Sequence, residues 1–231
     1  MGQDILFLPE VTNCISSDWV HLNNVLGLYE GNFFIKKISE RARDLKIWVA
    51  LGSVAVKVNS TDERYVNRSI LINSNGGIVA WYDKIHMFDV TISDTESYQE
   101  SKHYQQGKHA VLAQTPWANI GLTICYDLRF AGLYRTLAKS GAQIFTAPAA
   151  FTCSTGKAHW HTLIKSRAIE TGCFLIASAQ TGEHPGSNRK TYGHSLIVNP
   201  WGEVILDGGK LPGLFFAKLD LREVKSARNR I

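Results

Sequence analysis

Apolar and polar positions along the chain fall into short blocks whose spacing separates strands from helices. The first block, ILFLPE (5–10), is a brief apolar run closed by Pro9 and Glu10, and it predicts a strand. A polar loop is expected next, then a helix from about Gly31 to Leu45. Phe34, Ile38, Ala42 and Leu45 recur there at steps of four, four and three, which sets them on one helix face. Three strand-like runs follow: WVALGSVAVKV (48–58), RYVNRSILINSN (64–75) and IVAWYDKI (78–85), with Asn75-Gly76-Gly77 as a hairpin turn between the last two. The stretch from Phe88 to Trp117 is polar and irregular and reads as a long loop, a feature that often carries function. NIGLTICYD (119–127) reads as a buried strand running into a helix from Leu128 to Ser140, and QIFTAPAA (143–150) as the next strand. AHWHTLIKSRAIET (158–171) is helical, with His161, Ile164 and Ala168 on one side and Arg167 and Glu170 three apart. CFLIASAQ, HSLIVNP, EVILDG and GLFFAKLD are expected as closing strands. With no repeat and no linker, residues 1–231 are expected to form a single domain of the mixed α/β class, sheets packed together with helices outside.

Composition narrows this picture. The 231 residues are 45% hydrophobic and 19% charged, which is globular rather than disordered. No apolar run reaches the roughly 20 residues of a membrane helix, and the opening MGQDILFLPE lacks the pattern of a secretory signal. A cytoplasmic protein with no membrane partner is expected. The formal charge of +5 is scattered, apart from Arg222, Lys225, Arg228 and Arg230 near the C-terminus. A nucleic-acid binder would concentrate it in a stripe, so no nucleic-acid partner is expected. Cys14, Cys125, Cys153 and Cys173 show no C-x-x-C spacing, which removes metal ribbons and dithiol motifs.

Cys125 is the leading candidate for chemistry. It sits where NIGLTI gives way to YDLRF, at a strand-to-helix junction whose N–H groups favour a thiolate. The bland alternative is a core cysteine at a strand end. A thiol nucleophile needs a base and an oxyanion stabiliser. His159 and His161 are two apart, cannot share a helix face as zinc ligands, and read as helix-surface or core-edge residues. Glu10 and Lys84 offer another set, each at a strand edge among apolar neighbours. Taken singly, either one is more often a solvated strand end, and spacing alone does not make the three converge.

Six strings carry a family resemblance: FLPE (7–10), YDKIHMFDV (82–90), ESKHYQQG (100–107), GLTICYDLRF (121–130), APAAFTCSTGKAHWHTLIKSRAIET (147–171) and YGHSLIVNPWGEV (192–204). In order and spacing they resemble the nitrilase, or carbon–nitrogen hydrolase, superfamily. The last two are similar to its Nit branch, whose characterised members act as amidases on deaminated glutathione. The resemblance implies an αββα sandwich whose units pair through their helices, hence a homo-oligomer. It assigns Glu10 as general base, Lys84 as the cation, Cys125 as nucleophile and Glu100 as a second carboxylate orienting Lys84 and the attacking water. The backbone N–H of Tyr126 would join Lys84 around the oxyanion. A small ω-amide is the implied substrate, with neither metal nor organic cofactor. Members usually begin with an additional strand and helix, about 30–40 residues, and many continue into a basic C-terminal tail. This chain is expected to lack the first and to stop short of the second. A truncated, non-catalytic remnant with a binding or structural role is therefore the rival reading.

Overall fold

The computed structural model describes residues 4–16, 18–58, 63–94, 96–184 and 189–230. β1 (Ile5–Phe7) leads through a turn to α1 (Trp19–Val25) and α2 (Phe33–Leu45), followed by β2 (Trp48–Val56), β3 (Tyr65–Ile72) and β4 (Ile78–Asp83). β5 (Asp89–Ser93) and β6 (Glu96–Gln99) form a small hairpin, and β7 (Tyr104–Gln105) pairs with the start of β3. The first sheet therefore runs β1-β2-β3-β4 with β7 alongside β3. β8 (Val111–Gln114), β9 (Asn119–Leu122), α3 (Ala131–Lys139), β10 (Ile144–Thr146), α4 (Cys153–Thr171) and β11 (Phe174–Ala177) come next. β12 (Thr181–Glu183) and β13 (Lys190–Tyr192) pair with each other, and β14 (Leu196–Val198), β15 (Val204–Asp207) and α5 (Arg222–Arg228) close the chain. The second sheet runs β15-β14-β11-β10-β9-β8. Its central strands β9, β10 and β11 are parallel, and α3 and α4 are the crossovers that parallel strands require.

The four layers follow from side-chain alternation. Along β2, Val49 and Leu51 face α2, where they meet Ile35 and Ala42, while Trp48 and Ala50 face the second sheet. The second sheet is covered on its far side by Leu133, Tyr134 and Leu137 of α3 and by Trp160, Ile164 and Ala168 of α4. With both faces covered, β2 and β3 are buried throughout, so β2 reads as a nearly continuous apolar run, while β3 buries Asn67, Arg68 and Ser69 at its centre.

Several expectations need correction. The region after β1 is not all loop: Asp18 caps α1 by accepting from the N–H groups of Val20 and His21, and Leu22 packs on Val11, Ala55 and Tyr65. On α2 the buried positions are Ile35 and Ala42, whereas Leu45 is exposed at the last turn, just before the left-handed Lys46. The polar 88–117 segment contains the β5–β6 hairpin, β7 and β8, whose residues alternate or lie half-buried and so lack a strong apolar signature. GLFFAKLD forms no strand, with Leu214 and Phe216 exposed. Among the C-terminal basic residues, Arg228 donates to the carbonyls of Ala142 and Thr171, Arg222 pairs with Asp220, and Arg230 lies over Trp201.

A break in β2–β3 register between Leu51 and Val54 holds Gly52 and Ser53, and it seats the end of the first strand. A β-carbon on Gly52 would lie 2.0 Å from the Leu8 carbonyl oxygen and 2.1 Å from that of Pro9. Ser53 takes over the turn beyond: its N–H donates to Pro9 O at 3.1 Å, its hydroxyl accepts from Val11 N–H at 2.8 Å, and its carbonyl accepts from Thr12 N–H at 2.8 Å. Gly52→Ala must push residues 8–11 away, at a cost of about 1–3 kcal/mol. Gly132→Ala, whose β-carbon meets nothing within 4 Å in α3, should instead stabilise by roughly 0.5–1 kcal/mol. Urea denaturation of the two variants checks the contrast.

Candidate active site

The site forms where chain segments leave the strands of both sheets. Glu10 follows β1, Lys84 follows β4, Glu100 follows β6, and Cys125 follows β9. Ligand sites in such sheets lie outside the carboxyl ends of the strands. All four side chains named from the sequence come together.

Lys84 is 2% exposed, and its ammonium donates to Glu10 Oε1 at 3.1 Å and to Glu100 Oε1 and Oε2 at 2.9 and 2.8 Å. Its three N–H bonds are thus all directed at carboxylates. Burial opposes its charge, but the two carboxylates outweigh that and hold it protonated well above its ordinary value. Glu10, 4% exposed, also accepts from Asn67 Nδ2 at 2.9 Å and from Ala150 N–H at 2.9 Å. Burial opposes ionisation of Glu10. The Lys84 charge, a hydrogen bond from the Cys125 thiol, Arg189 and Asn67 together lower its pKa nevertheless. Glu100 accepts in addition from Phe88 N–H at 2.6 Å. Burial, with the Glu10 charge behind it, drives the Cys125 thiol well above its ordinary value, so the resting pair is a thiol and a carboxylate.

Cys125 opens a 3-10 turn over 125–129, with φ of +49°, and its N–H donates to Pro148 O at 2.9 Å. This left-handed residue at a strand-to-helix step places Cys125 in the wall of the cavity, the geometry of a nucleophile elbow. Val11, directly after Glu10, is left-handed too, with φ of +45°. Tyr126 is next in the 3-10 turn, and its ring sits edge-on to Phe88 at 5.0 Å and to Phe130 at 5.4 Å. The cavity over these groups has a volume of about 860 Å³ and includes Phe88, Tyr126 and Arg189 among its walls.

Three supporting residues escaped the sequence reading. Asn67 bridges Glu10 and Glu100, and its carbonyl oxygen accepts from Lys84 N–H at 3.0 Å. Its signal was a polar residue inside a fully buried strand. Asp127 is fully buried; it accepts from Ile124 N–H and Tyr82 hydroxyl at 2.8 Å each, and lies 2.7 Å from His86 Nδ1. It ties the elbow to the segment that carries Lys84. Arg189 donates to Ala150 O at 2.6 Å and lies over Tyr98. The histidines at 159 and 161 are away from the thiol: His159 meets Arg129 and His161 meets Asp207.

Comparison with known proteins adds the following. The carbon–nitrogen hydrolase family profile matches residues 1–229. The deaminated glutathione amidase of Yersinia enterocolitica is 41% identical over 197 residues, which cover 85% of this chain and 68% of that protein. The solved structure of the Caenorhabditis elegans NitFhit protein matches with a TM-score of 0.91 at 36% identity, over 98% of this chain and 55% of that one. That of Saccharomyces cerevisiae Nit3, a member of branch 10 of the nitrilase superfamily, matches with a TM-score of 0.86 at 25% identity, over 99% and 80%.

Two measurements test the electrostatics. Lys84→Met leaves two carboxylates facing each other out of water and should cost about 3–5 kcal/mol in urea denaturation at neutral pH; adding Glu100→Gln should recover part of it. The folded-state pKa of Glu10 lies below its ordinary 4.5, so its contribution to stability is complete above that pH and is lost as pH falls through the folded value. The melting temperature of Glu10→Gln should therefore fall less steeply with acidification below pH 4.5 than that of the parent.

Proposed function

The chain belongs to the carbon–nitrogen hydrolase family, and on that premise we propose that it is a Nit-type amidase of the nitrilase superfamily, releasing ammonia from a small ω-amide through a thioester on Cys125. The observation that carries this reading is the convergence of Glu10, Lys84, Glu100 and Cys125 on one cavity, with the Glu10 carboxylate already fixed by Lys84, Asn67 and Ala150.

Glu10 takes the thiol proton as sulfur attacks the amide carbon. The thiol is neutral at rest, so deprotonation is coupled to attack, and the base must be in contact before substrate arrives. The tetrahedral oxyanion is met by the Tyr126 backbone N–H and by the Lys84 charge; since the Nζ hydrogens already face carboxylates, Lys84 acts there as a fixed cation. Collapse breaks the C–N bond, with Glu10 returning its proton to the leaving nitrogen to give ammonia. Water, deprotonated by Glu10 and oriented by Glu100, then attacks the thioester carbon; the C–S bond breaks, releasing the acid and regenerating the thiol. No metal or organic cofactor enters this scheme.

For the substrate, the name carried by the Yersinia relative points to a deaminated glutathione-like amide, with a dicarboxylic acid monoamide as the simpler member of the same class. A cavity of about 860 Å³ suits either, and Arg189 on its wall, with a net charge of +5 on the chain, favours an anionic one. The rival, a binding protein that has lost its chemistry, gains nothing from a site in which base, cation and nucleophile are all present and in contact.

The test is ammonia release by the purified chain on deaminated glutathione and short dicarboxylic monoamides. Cys125→Ala should fall at least about a thousandfold, while Cys173→Ala, outside the cavity, keeps most of the rate. A folded protein that releases no ammonia from any of these amides, or a Cys125→Ala variant as fast as the parent, rejects the assignment.

A further inference from the structure

One cluster of chemically capable side chains stands apart from the amide site and is assembled from three separate elements. His161 lies in the middle of α4, His194 precedes β14, and Asp207 ends β15. His161 Nε2 is 3.0 Å from Asp207 Oδ2, and His194 Nδ1 is 2.8 and 3.1 Å from the two Asp207 oxygens. One donor atom from each residue falls within 4.8 Å of the others. We propose that His161, His194 and Asp207 form a binding site for a divalent transition-metal ion of the zinc class.

The donor set selects the ion. Two imidazoles and one carboxylate suit zinc and its neighbours, with a fourth position open to water. Calcium and magnesium want a shell of oxygens, which this cluster does not offer. With metal–ligand bonds of about 2.0–2.2 Å, a tetrahedron separates its ligand atoms by about 3.3 Å. The observed nitrogen–oxygen separations of 2.8–3.1 Å need to open by only a few tenths of an ångström.

The residues are also held in place before any ion arrives. His194 is left-handed, with φ of +57°, a costly backbone state of the kind that concentrates at functional sites. It is pinned on both sides: its N–H donates to Gly209 O at 2.6 Å, and its carbonyl accepts from Trp160 Nε1 at 2.8 Å. Asp207 Oδ1 accepts from Gly209 N–H at 2.9 Å, which orients the carboxylate in the way that outer hydrogen bonds orient metal ligands. The His194 ring stacks on Tyr192 at 4.6 Å and meets the His161 ring at 71°, so the two nitrogens approach Asp207 from different directions. All three side chains are partly open to solvent, which gives an ion a path in. Read along the helix alone, His161 had only His159 as a possible co-ligand. The partners that matter come from β14 and β15, far away in sequence. A bound ion would clip α4 to these strands and fix the segment from Arg189 to His194, whose first residue reaches the amide cavity.

The competing account is a plain hydrogen-bonded staple, in which each imidazole donates an N–H to Asp207. Metal binding needs those same nitrogens free of protons, so the two accounts diverge in solution. The untagged full chain carrying Cys125→Ala, which removes the active-site thiol as a competing ligand and makes the result independent of the amidase reading, is titrated with Co²⁺. One equivalent should bind with the visible absorption of a four-coordinate site, and Zn²⁺ should displace it. His161→Ala, a half-exposed helix position that leaves the core intact, and Asp207→Asn should each weaken binding at least about tenfold. His159→Ala, which faces Arg129, should leave it unchanged. Zn²⁺ should raise the melting temperature of the parent and not that of His161→Ala. Absence of saturable binding, or binding equal in His161→Ala and the parent, overturns the proposal and leaves the staple.

Discussion

The ammonium of Lys84, sealed from solvent, is the constraint around which the molecule is organised. A buried cation is tolerable only when counter-charges and hydrogen bonds replace its water. Glu10 and Glu100 do so from 74 and 16 residues away along the chain. The trio then carries a net negative charge, which needs donors of its own. The Asn67 amide and the N–H groups of Ala150 and Phe88 supply them. The ends of β1, β4 and β6, the middle of β3 and the strand-end loop after β10 are all drawn to one point by this electrostatic requirement. Apolar packing alone would leave those loops free to choose other positions.

Backbone strain is concentrated at the same point. Cys125 and Val11 both occupy left-handed conformations, and Val11 is β-branched, for which this is a genuine outlier. Each costs about 1–3 kcal/mol and persists only if its surroundings leave no alternative. Around Val11 that role falls to the Gly52–Ser53 break in β2, where Ser53 binds the chain three times between Pro9 and Thr12. Around Cys125 it falls to the Pro148 carbonyl and to Asp127, whose fully buried carboxylate accepts from the N–H preceding the thiol. The two strained residues are Cys125 itself and the residue directly after Glu10. Packing energy from both sheets is thus used to bring a thiol and a carboxylate into contact.

What could be read in advance follows from what is local. The helix over 33–45, the hairpin at Asn75-Gly76-Gly77 and the strand ending near Cys125 all announce themselves within a dozen residues, because period, turn chemistry and apolar content are local properties. Glu10, Lys84 and Cys125 were nameable as a set because each is a polar residue at an apolar strand end, and the family resemblance added Glu100. Asn67 and Asp127 were not, since their roles exist only once β3, β4 and the elbow are side by side. The same applies to Leu45, which fits the apolar period of α2 but lies at the exposed last turn of that helix. GLFFAKLD shows the opposite failure: its composition is that of a strand, yet it pairs with no strand among the described residues. Strand formation is decided by neighbours as much as by sequence.

The loop after β10 joins these themes. Ala150 offers its N–H to Glu10 and its carbonyl to Arg189, so one residue links the buried carboxylate to the cation on the cavity wall. The positive charge of Arg189 is among the influences that hold the proton affinity of Glu10 down. On the proposed reading, an anionic substrate group meeting Arg189 would offset that field and leave the carboxylate beside Cys125 a stronger base.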